Sequence, residues 1–411
     1  MRYAIIIYII ILLVAITSCK KITPVAINQI NGASNVCLGE KQVQYSVSVE
    51  SPVDYTLWTV PEGAEITSGQ GTNSIKVNFG RKPGKISVRL YNDGELVSPE
   101  AYFEVNFGIS NQWCRDINLT AGTRANAVGF SIGNKGYIGL GNYSEPNSAP
   151  VNRIDFWEYD PSSYTWTQKT PFPGISRVAA VGFSIGNKGY VGTGYRGTGS
   201  LPSDYFRDFW EYDPTANEWI AKDSLPGSGR QYAFGFSVGD KGYLGAGQTS
   251  LSGALADFYE YDPNTDNWVQ KNSFTYPLLG AVGFSIGNKG YVGTGFNGGF
   301  VYYNDFYEYN PDNDQWVQKE SFPGTSRYAA VGFSIGNKGY IGTGFHSGIS
   351  NSYFGSFYEY NPITGFWTEK DSLPGQPRGY AIAFSIDNKG YIGVGAAPSS
   401  VFLDDFWVFT Q

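Results

Sequence analysis

The chain has 411 residues, enough for two or three domains, and is 17% aromatic and only 16% charged, with 53 glycines and a single methionine. That composition suits short strands and tight turns and argues against a helical bundle. A net charge of −7 with no run of basic residues excludes nucleic acid as a partner, since phosphate binding needs a clustered positive face.

The N-terminus reads as an address. Met1 and Arg2 precede an apolar run from Ala4 to Ile16, too short to span a bilayer comfortably, followed by Thr17, Ser18 and Cys19. Ile16-Thr17-Ser18-Cys19 resembles the bacterial lipobox. The resemblance implies a signal peptide over 1–18, cleavage before Cys19, and lipid on that thiol. Residues 19–23 then form a tether, and the protein is expected on a bacterial membrane, the outer one by preference, facing the periplasm or the cell surface. Cys37 and Cys114 could oxidise outside the cytoplasm. They fall in different domains by the reading below, so two buried free thiols are expected instead of a bridge.

Residues 24–107 alternate with the two-residue period of half-buried strands, over Val43–Val49, Tyr55–Val60, Ile75–Phe79, Lys85–Tyr91 and Ala101–Phe107. Turns such as Lys82-Pro83-Gly84 and Asn92-Asp93-Gly94 separate them, which suggests a β-sandwich. Gly32 to Cys37, Tyr55 with Trp58, and Gly69-Gln70-Gly71-Thr72 together resemble the immunoglobulin-like PKD modules of exported bacterial proteins. Those modules often carry a second cysteine near the position of Asp93, so their internal disulfide is missing here. The resemblance implies a spacer domain.

From residue 108 onward one phrase recurs six times. It is Gly133-Asn134-Lys135-Gly136-Tyr137-Ile138-Gly139-Leu140-Gly141, and it starts again at Gly186, Gly239, Gly287, Gly336 and Asp387, at intervals of 53, 53, 48, 49 and 51 residues. Each copy holds an apolar strand (Ala179–Ile185 in the second), the Gly-Asn-Lys turn, and a second strand. A third strand follows, Asp208-Phe209-Trp210-Glu211-Tyr212-Asp213-Pro214 in that copy. A tryptophan then opens the fourth: Trp166, Trp219, Trp268, Trp316 and Trp367. A period near 50 with this content resembles Kelch repeats, which implies an all-β architecture: a six-bladed Kelch-type β-propeller behind the sandwich. The sixth copy stops at Phe409 without a fourth strand, while Trp113 stands unmatched before the first. The strand around Trp113 is therefore expected to complete the last blade and remove an open edge. The second strands end in Gly-Thr-Gly or similar where Kelch repeats have Gly-Gly.

The Gly-Asn-Lys and Asp-Pro turns are short and nearly identical, and share one face. The loops between second and third strands vary, at 13, 13, 9, 9, 11 and 9 residues. They share the opposite face with the loops leading into each first strand, and binding is expected there. Those lead-in loops carry Arg124, Arg177, Arg230, Arg327 and Arg378 at matched positions, with Leu278-Leu279 in the fourth copy. By the Kelch resemblance the arginines would ring the channel mouth and take a carboxylate or acidic group. The alternative is that each braces its own loop. Asp204, Asp208, Asp257 and Asp305 lie near them in sequence. The variable loops add Tyr143, Tyr195, Tyr205, Phe206, Phe300, Tyr302, Tyr303, Tyr353, Phe354 and Phe402, rings that stack on sugars or fill protein hot spots.

The only histidine, His346, rules out transition-metal clusters and the copper-oxidase chemistry of some Kelch-like propellers. Asp262-Pro263-Asn264-Thr265-Asp266-Asn267 lacks the closing glutamate of a calcium loop and reads as an ordinary turn. No metal, cofactor or catalytic set is expected. Two functions stay open. One is a binding protein that takes a glycan or a protein at the loop face through the arginines, Tyr195, Tyr205, Tyr302, Tyr303, His346 and Tyr353. The other is an isomerase resembling the periplasmic sialic acid mutarotases, which are six-bladed Kelch propellers.

Overall fold

The computed structural model describes residues 23–144, 149–197, 201–249, 253–299, 301–349 and 352–411. Cys19 and Phe300 lie outside them. The chain divides into two compact units, one holding residues 39–106 with the preceding segment up to Ser34, the other holding Asn35–Leu38 and Phe107–Gln411.

The first unit is a sandwich of two antiparallel sheets. One runs in the order Ile27–Asn31, Val43–Val49, Ser74–Asn78, Glu65–Ser68. The other contains Ala101–Phe107, Gly84–Asn92 and Tyr55–Thr59. Alternation puts Tyr45, Trp58, Ile75, Val77, Val88 and Val105 inside. The Trp58 indole is satisfied by donating to the Thr72 carbonyl at 2.7 Å. Ile27–Asn31 and Glu65–Ser68 escape the sequence reading because their outward positions are exposed at both ends and the apolar alternation is weak.

The second unit is six four-stranded antiparallel sheets. In blade two the strands are Val181–Ile185, Lys188–Gly192, Phe209–Asp213 and Glu218–Lys222, and the other blades repeat this order. The sixth blade consists of Ile382–Ile386, Lys389–Gly393, Phe406–Thr410 and, as its outer strand, Gln112–Arg115. Trp113 stands opposite Phe409, so the two ends of the propeller are hydrogen-bonded into one sheet. The first strands contact each other in ring order, blade six against blade one.

Blades bury their faces only against neighbours, and the repeat shows how. Each fourth-strand tryptophan packs on the third-strand phenylalanine of the blade before it: Trp219 on Phe156, Trp268 on Phe209, Trp316 on Phe258, Trp367 on Phe306, Trp113 on Phe357 and Trp166 on Phe406, with ring centroids 4.7–5.0 Å apart. Five of these indoles also donate to a backbone carbonyl of that blade, as Trp219 does to Thr170 at 3.0 Å. Trp166 is the exception. Its neighbour is the blade whose outer strand comes from the N-terminal side, and its indole N–H has no partner. Gly136, Gly189 and their counterparts lie under a first-strand phenylalanine of the blade before, where a Cβ would sit 2.0–2.5 Å from the ring.

On the turn face, lysines of the Gly-Asn-Lys turns reach the aspartates of the Asp-Pro turns, in the pairs Lys135–Asp160, Lys188–Asp213 and Lys241–Asp262. The same aspartates accept the backbone N–H two residues on. Asp262 is thus occupied by Lys241 and Asn264, which accounts for the calcium-like spacing as turn chemistry.

The two free thiols expected from sequence are corrected: Cys37 and Cys114 form a disulfide, with Cα atoms 5.3 Å apart. The reason is topological. Asn35–Leu38 groups with the propeller although the residues on either side of it belong to the sandwich, so both cysteines fall in one unit.

Candidate functional site

The expected arginine ring at the mouth is not what the structure forms. Arg124, Arg177, Arg230, Arg327 and Arg378 are only 0–1% exposed. Four of them meet the aspartate that immediately precedes their own third strand through a two-pronged pair: Arg124 with Asp155 (3.0 and 2.7 Å), Arg230 with Asp257 (2.6 and 2.7 Å), Arg378 with Asp405 (2.6 and 2.8 Å), and Arg177 with Asp208 in the same way. Each of the five also donates to the carbonyl of the residue after the second strand: Leu140, Thr193, Ala246, Thr343 and Val394. Those residues hold φ near +60° without being glycine, a conformation that persists only where the surroundings enforce it. The guanidinium clamps that turn, and the carboxylate neutralises the buried charge. Arg124, Arg177, Arg230 and Arg378 are therefore braces whose guanidiniums are already paired with a carboxylate. The guanidiniums beside Asp155 and Asp405 hold those carboxyls below their usual range.

Blades four and five break the pairing from opposite sides. Blade four has Leu278 in place of the arginine, and Asp305 instead accepts the Tyr276 hydroxyl at 2.9 Å. Blade five keeps Arg327 but has Ser356 in place of the aspartate. Burial without a carboxylate lowers the Arg327 pKa to about 10.

A different set of residues lines the mouth. Two positions beyond each brace stand Asn126, Ala179, Tyr232, Gly280, Ala329 and Tyr380, all at φ between 50° and 61°. The N–H of each donates to the carbonyl of the corresponding residue one blade back, at 2.8–3.0 Å. Because Asn126 donates to Tyr380, the six hydrogen bonds close a ring around the axis. Below it the channel is lined by Ala, Val and Gly, such as Ala127, Val181 and Gly235. At the ring a depression of about 150 Å³ is bounded by Asn126, Tyr232 and Tyr380. That is below the roughly 300 Å³ of a drug-sized pocket.

The side chains around this depression are divided. Over blades three to six runs a continuous aromatic surface. Tyr232 meets Tyr380 (6.2 Å), Tyr380 meets Tyr328 edge-on (5.7 Å), and Tyr328 contacts Phe296 and Phe345 (5.7 Å each). Tyr302 stacks on Phe296 at 4.4 Å and on His346 at 3.7 Å, and Tyr353 packs on Phe345 at 4.6 Å. All of these rings are partly exposed. The other side carries amides: Asn126 donates to Asn142 (3.3 Å), Gln231 to Gln248 (3.1 Å), and the Tyr232 hydroxyl to Asn126 (3.0 Å). The Tyr328 and Tyr380 hydroxyls bond to each other. Burial pushes the Tyr232, Tyr328 and Tyr380 phenols above the ordinary range, so they stay protonated. Burial lowers the His346 pKa, and its Nδ1 accepts the Gly348 N–H at 3.0 Å, so the ring is neutral with its proton on Nε2. None of these mouth residues carries a formal charge.

Of the residues singled out from sequence, Tyr302, His346 and Tyr353 belong to this surface. Tyr195 and Tyr205 form a separate pair over blade two, at 4.8 Å. Tyr303 stacks on Tyr276 at 4.3 Å, beside the blade-four substitute for the brace. Phe206 and Phe354 cover the guanidiniums of Arg177 and Arg327 at 4.2 and 4.1 Å. Asn126, Gln231, Tyr232, Gln248, Phe296, Tyr328, Phe345 and Tyr380 were missed. A signal existed for several of them: the two columns after the repeated arginine change from copy to copy while their surroundings do not. Among the described residues no group of three His, Cys, Asp or Glu side chains is placed to hold a metal.

Comparison with known proteins agrees with this architecture. Residues 23–102 match the family model described as a PKD-like domain. The fold is similar to a solved structure titled "Structure of YjhT", with a TM-score of 0.60 and 16% identity over 71% of this chain and 95% of that one. At that identity the likeness shows the fold alone, a six-bladed Kelch-type propeller, which follows the PKD-like sandwich in the sequence. No curated protein matches the chain.

Proposed function

We propose that the propeller mouth binds a neutral glycan, engaging one sugar unit at its tip. The observation that carries this reading is the division of the mouth into an aromatic surface (Tyr232, Phe296, Tyr302, Tyr328, Phe345, Tyr380) and an amide side (Asn126, Asn142, Gln231, Gln248), all uncharged. Sugars present the same two chemistries: apolar C–H faces that stack on rings, and hydroxyls that pair with amides. The acidic-sugar reading, and with it the mutarotase alternative, loses its anchor because the five repeat arginines are buried in the scaffold.

The lipobox-like Ile16-Thr17-Ser18-Cys19 supports a lipid anchor on Cys19, and the Cys37–Cys114 disulfide suits a compartment outside the cytoplasm. In this proposal the protein is held at a bacterial membrane, with the sandwich as spacer. The test is calorimetric titration of the full chain, in non-ionic detergent, with neutral mono- and disaccharides against sialic and glucuronic acids. Saturable binding of a neutral sugar, lost in Tyr302→Ala and weakened in Tyr380→Phe, is the expected result. Binding restricted to the acidic sugars overturns the reading.

A further inference from the structure

Blades two and five are nearly the same around their braces. In each, the guanidinium lies between two phenylalanines, Phe172 and Phe206 for Arg177 (4.9 and 4.2 Å), Phe322 and Phe354 for Arg327 (5.0 and 4.1 Å). In each, Nε donates to the carbonyl two residues before, Ile175 or Thr325. In each, Nη1 donates to the residue after the second strand, Thr193 or Thr343.

The difference is the fourth partner. Asp208 offers both guanidinium nitrogens an oxygen and a negative charge. Ser356 offers one neutral hydroxyl, to Nη1 at 3.0 Å. No carboxylate among the described residues pairs with Arg327. Tyr358, which faces the guanidinium, donates its hydroxyl to Glu369 at 3.4 Å, and Glu369 forms no ion pair with Arg327. The residue before Ser356 is Gly355, and a Cβ there would meet nothing closer than 3.6 Å, so side-chain volume is reduced at two successive positions. The matching aspartates in the other blades keep 16–34% of their side chains exposed, so solutes reach this position.

An arginine buried to 99% with no counter-charge costs several kcal/mol unless an anion is supplied. We infer that blade five binds a small monovalent anion, chloride or a simple carboxylate, against Arg327 Nη2 and the Ser356 hydroxyl, where blade two places the Asp208 carboxylate. The anion stands in for a side chain the repeat has exchanged. It fixes the loop that leads directly into Tyr328, a member of the mouth surface, whether or not the mouth binds a sugar.

The test is thermal unfolding of the full chain in non-ionic detergent, in sodium chloride against sodium gluconate at one ionic strength. ³⁵Cl line broadening is measured in parallel on the folded protein. The expected result is a saturable rise in Tm of about 2–4 °C with chloride, matched by formate. Ser356→Asp should unfold higher in gluconate and lose both the chloride shift and the line broadening. Asp208→Ser should acquire a second chloride response. Absence of a saturable chloride effect in the unsubstituted protein overturns the inference, as does an undiminished effect in Ser356→Asp.

Discussion

The brace of blade six gives the sharpest test of what the repeated arginines do. Asp405→Asn keeps shape and volume but removes the charge that faces Arg378. That guanidinium is fully buried and makes its two shortest bonds, 2.6 and 2.8 Å, to Asp405. Removing one partner of a buried pair costs about 3–5 kcal/mol. Asp405 keeps 16% of its side chain exposed, and an asparagine oxygen can still accept one guanidinium N–H, so the lower end, about 3 kcal/mol, is expected. At about 2 °C per kcal/mol for a chain of this size, Tm falls by about 6 °C. The carboxyl of Asp405 is held below its ordinary range. Its stabilisation is therefore complete above the unfolded value, about 3.9, and is lost as pH falls through the lower folded value. The gap between the two proteins should stay constant from about pH 7 to 5 and close below about pH 4. Arg378→Met combined with Asp405→Asn removes both charges and should recover about half of the loss or more. The bracing argument is refuted if Asp405→Asn lies within about 0.5 kcal/mol of the parent, or if the double variant is no more stable than the single one. A ligand-binding arginine would instead leave Tm unchanged and alter only affinity.

Other expectations follow from the same geometry. Reducing the Cys37–Cys114 bridge, which closes a separation of 77 residues, should lower stability by about 4.5 kcal/mol in the chain-entropy account; denaturant midpoints with and without reductant measure it. His346, the single histidine, should titrate below its ordinary value of 6.5 in an NMR pH series. Its neutral form is favoured by folding, so its contribution is present above that pH and lost below, and a value above 6.5 contradicts the stacked, neutral ring. Thr294 sits at φ 59° with a buried hydroxyl that has no partner. Thr294→Gly relieves both and should cost less than about 1 kcal/mol despite the lost side chain; a larger loss in chemical denaturation counts against strain at this turn. Tyr302→Ala should abolish binding of a neutral sugar while shifting Tm by less than about 2 °C, because the ring is only partly buried.

Much of this protein is written in its repeats. The six copies, their alternating strands and the unmatched Trp113 dictate six four-stranded sheets and the closing strand, because sheets of one fixed period that must bury both faces against neighbours have few ways to do so except by closing. The turn residues likewise predict their own geometry, since Asp-Pro and Gly-Asn-Lys act over two to four positions. The tertiary structure decided three things that local pattern does not encode. A matched column of arginines looks the same whether it faces solvent or a carboxylate about 30 residues on, and only the pairing of second with third strands brings Asp155, Asp208, Asp257 and Asp405 against them. The disulfide depended on Asn35–Leu38 leaving the unit of its sequence neighbours. The mouth depended on closure, because Asn126, Tyr232 and Tyr380 are 106 and more residues apart and meet only where a ring returns on itself. Short-range chemistry is legible along a chain; charge pairing and ligand geometry are set by distances that exist only after the chain has closed.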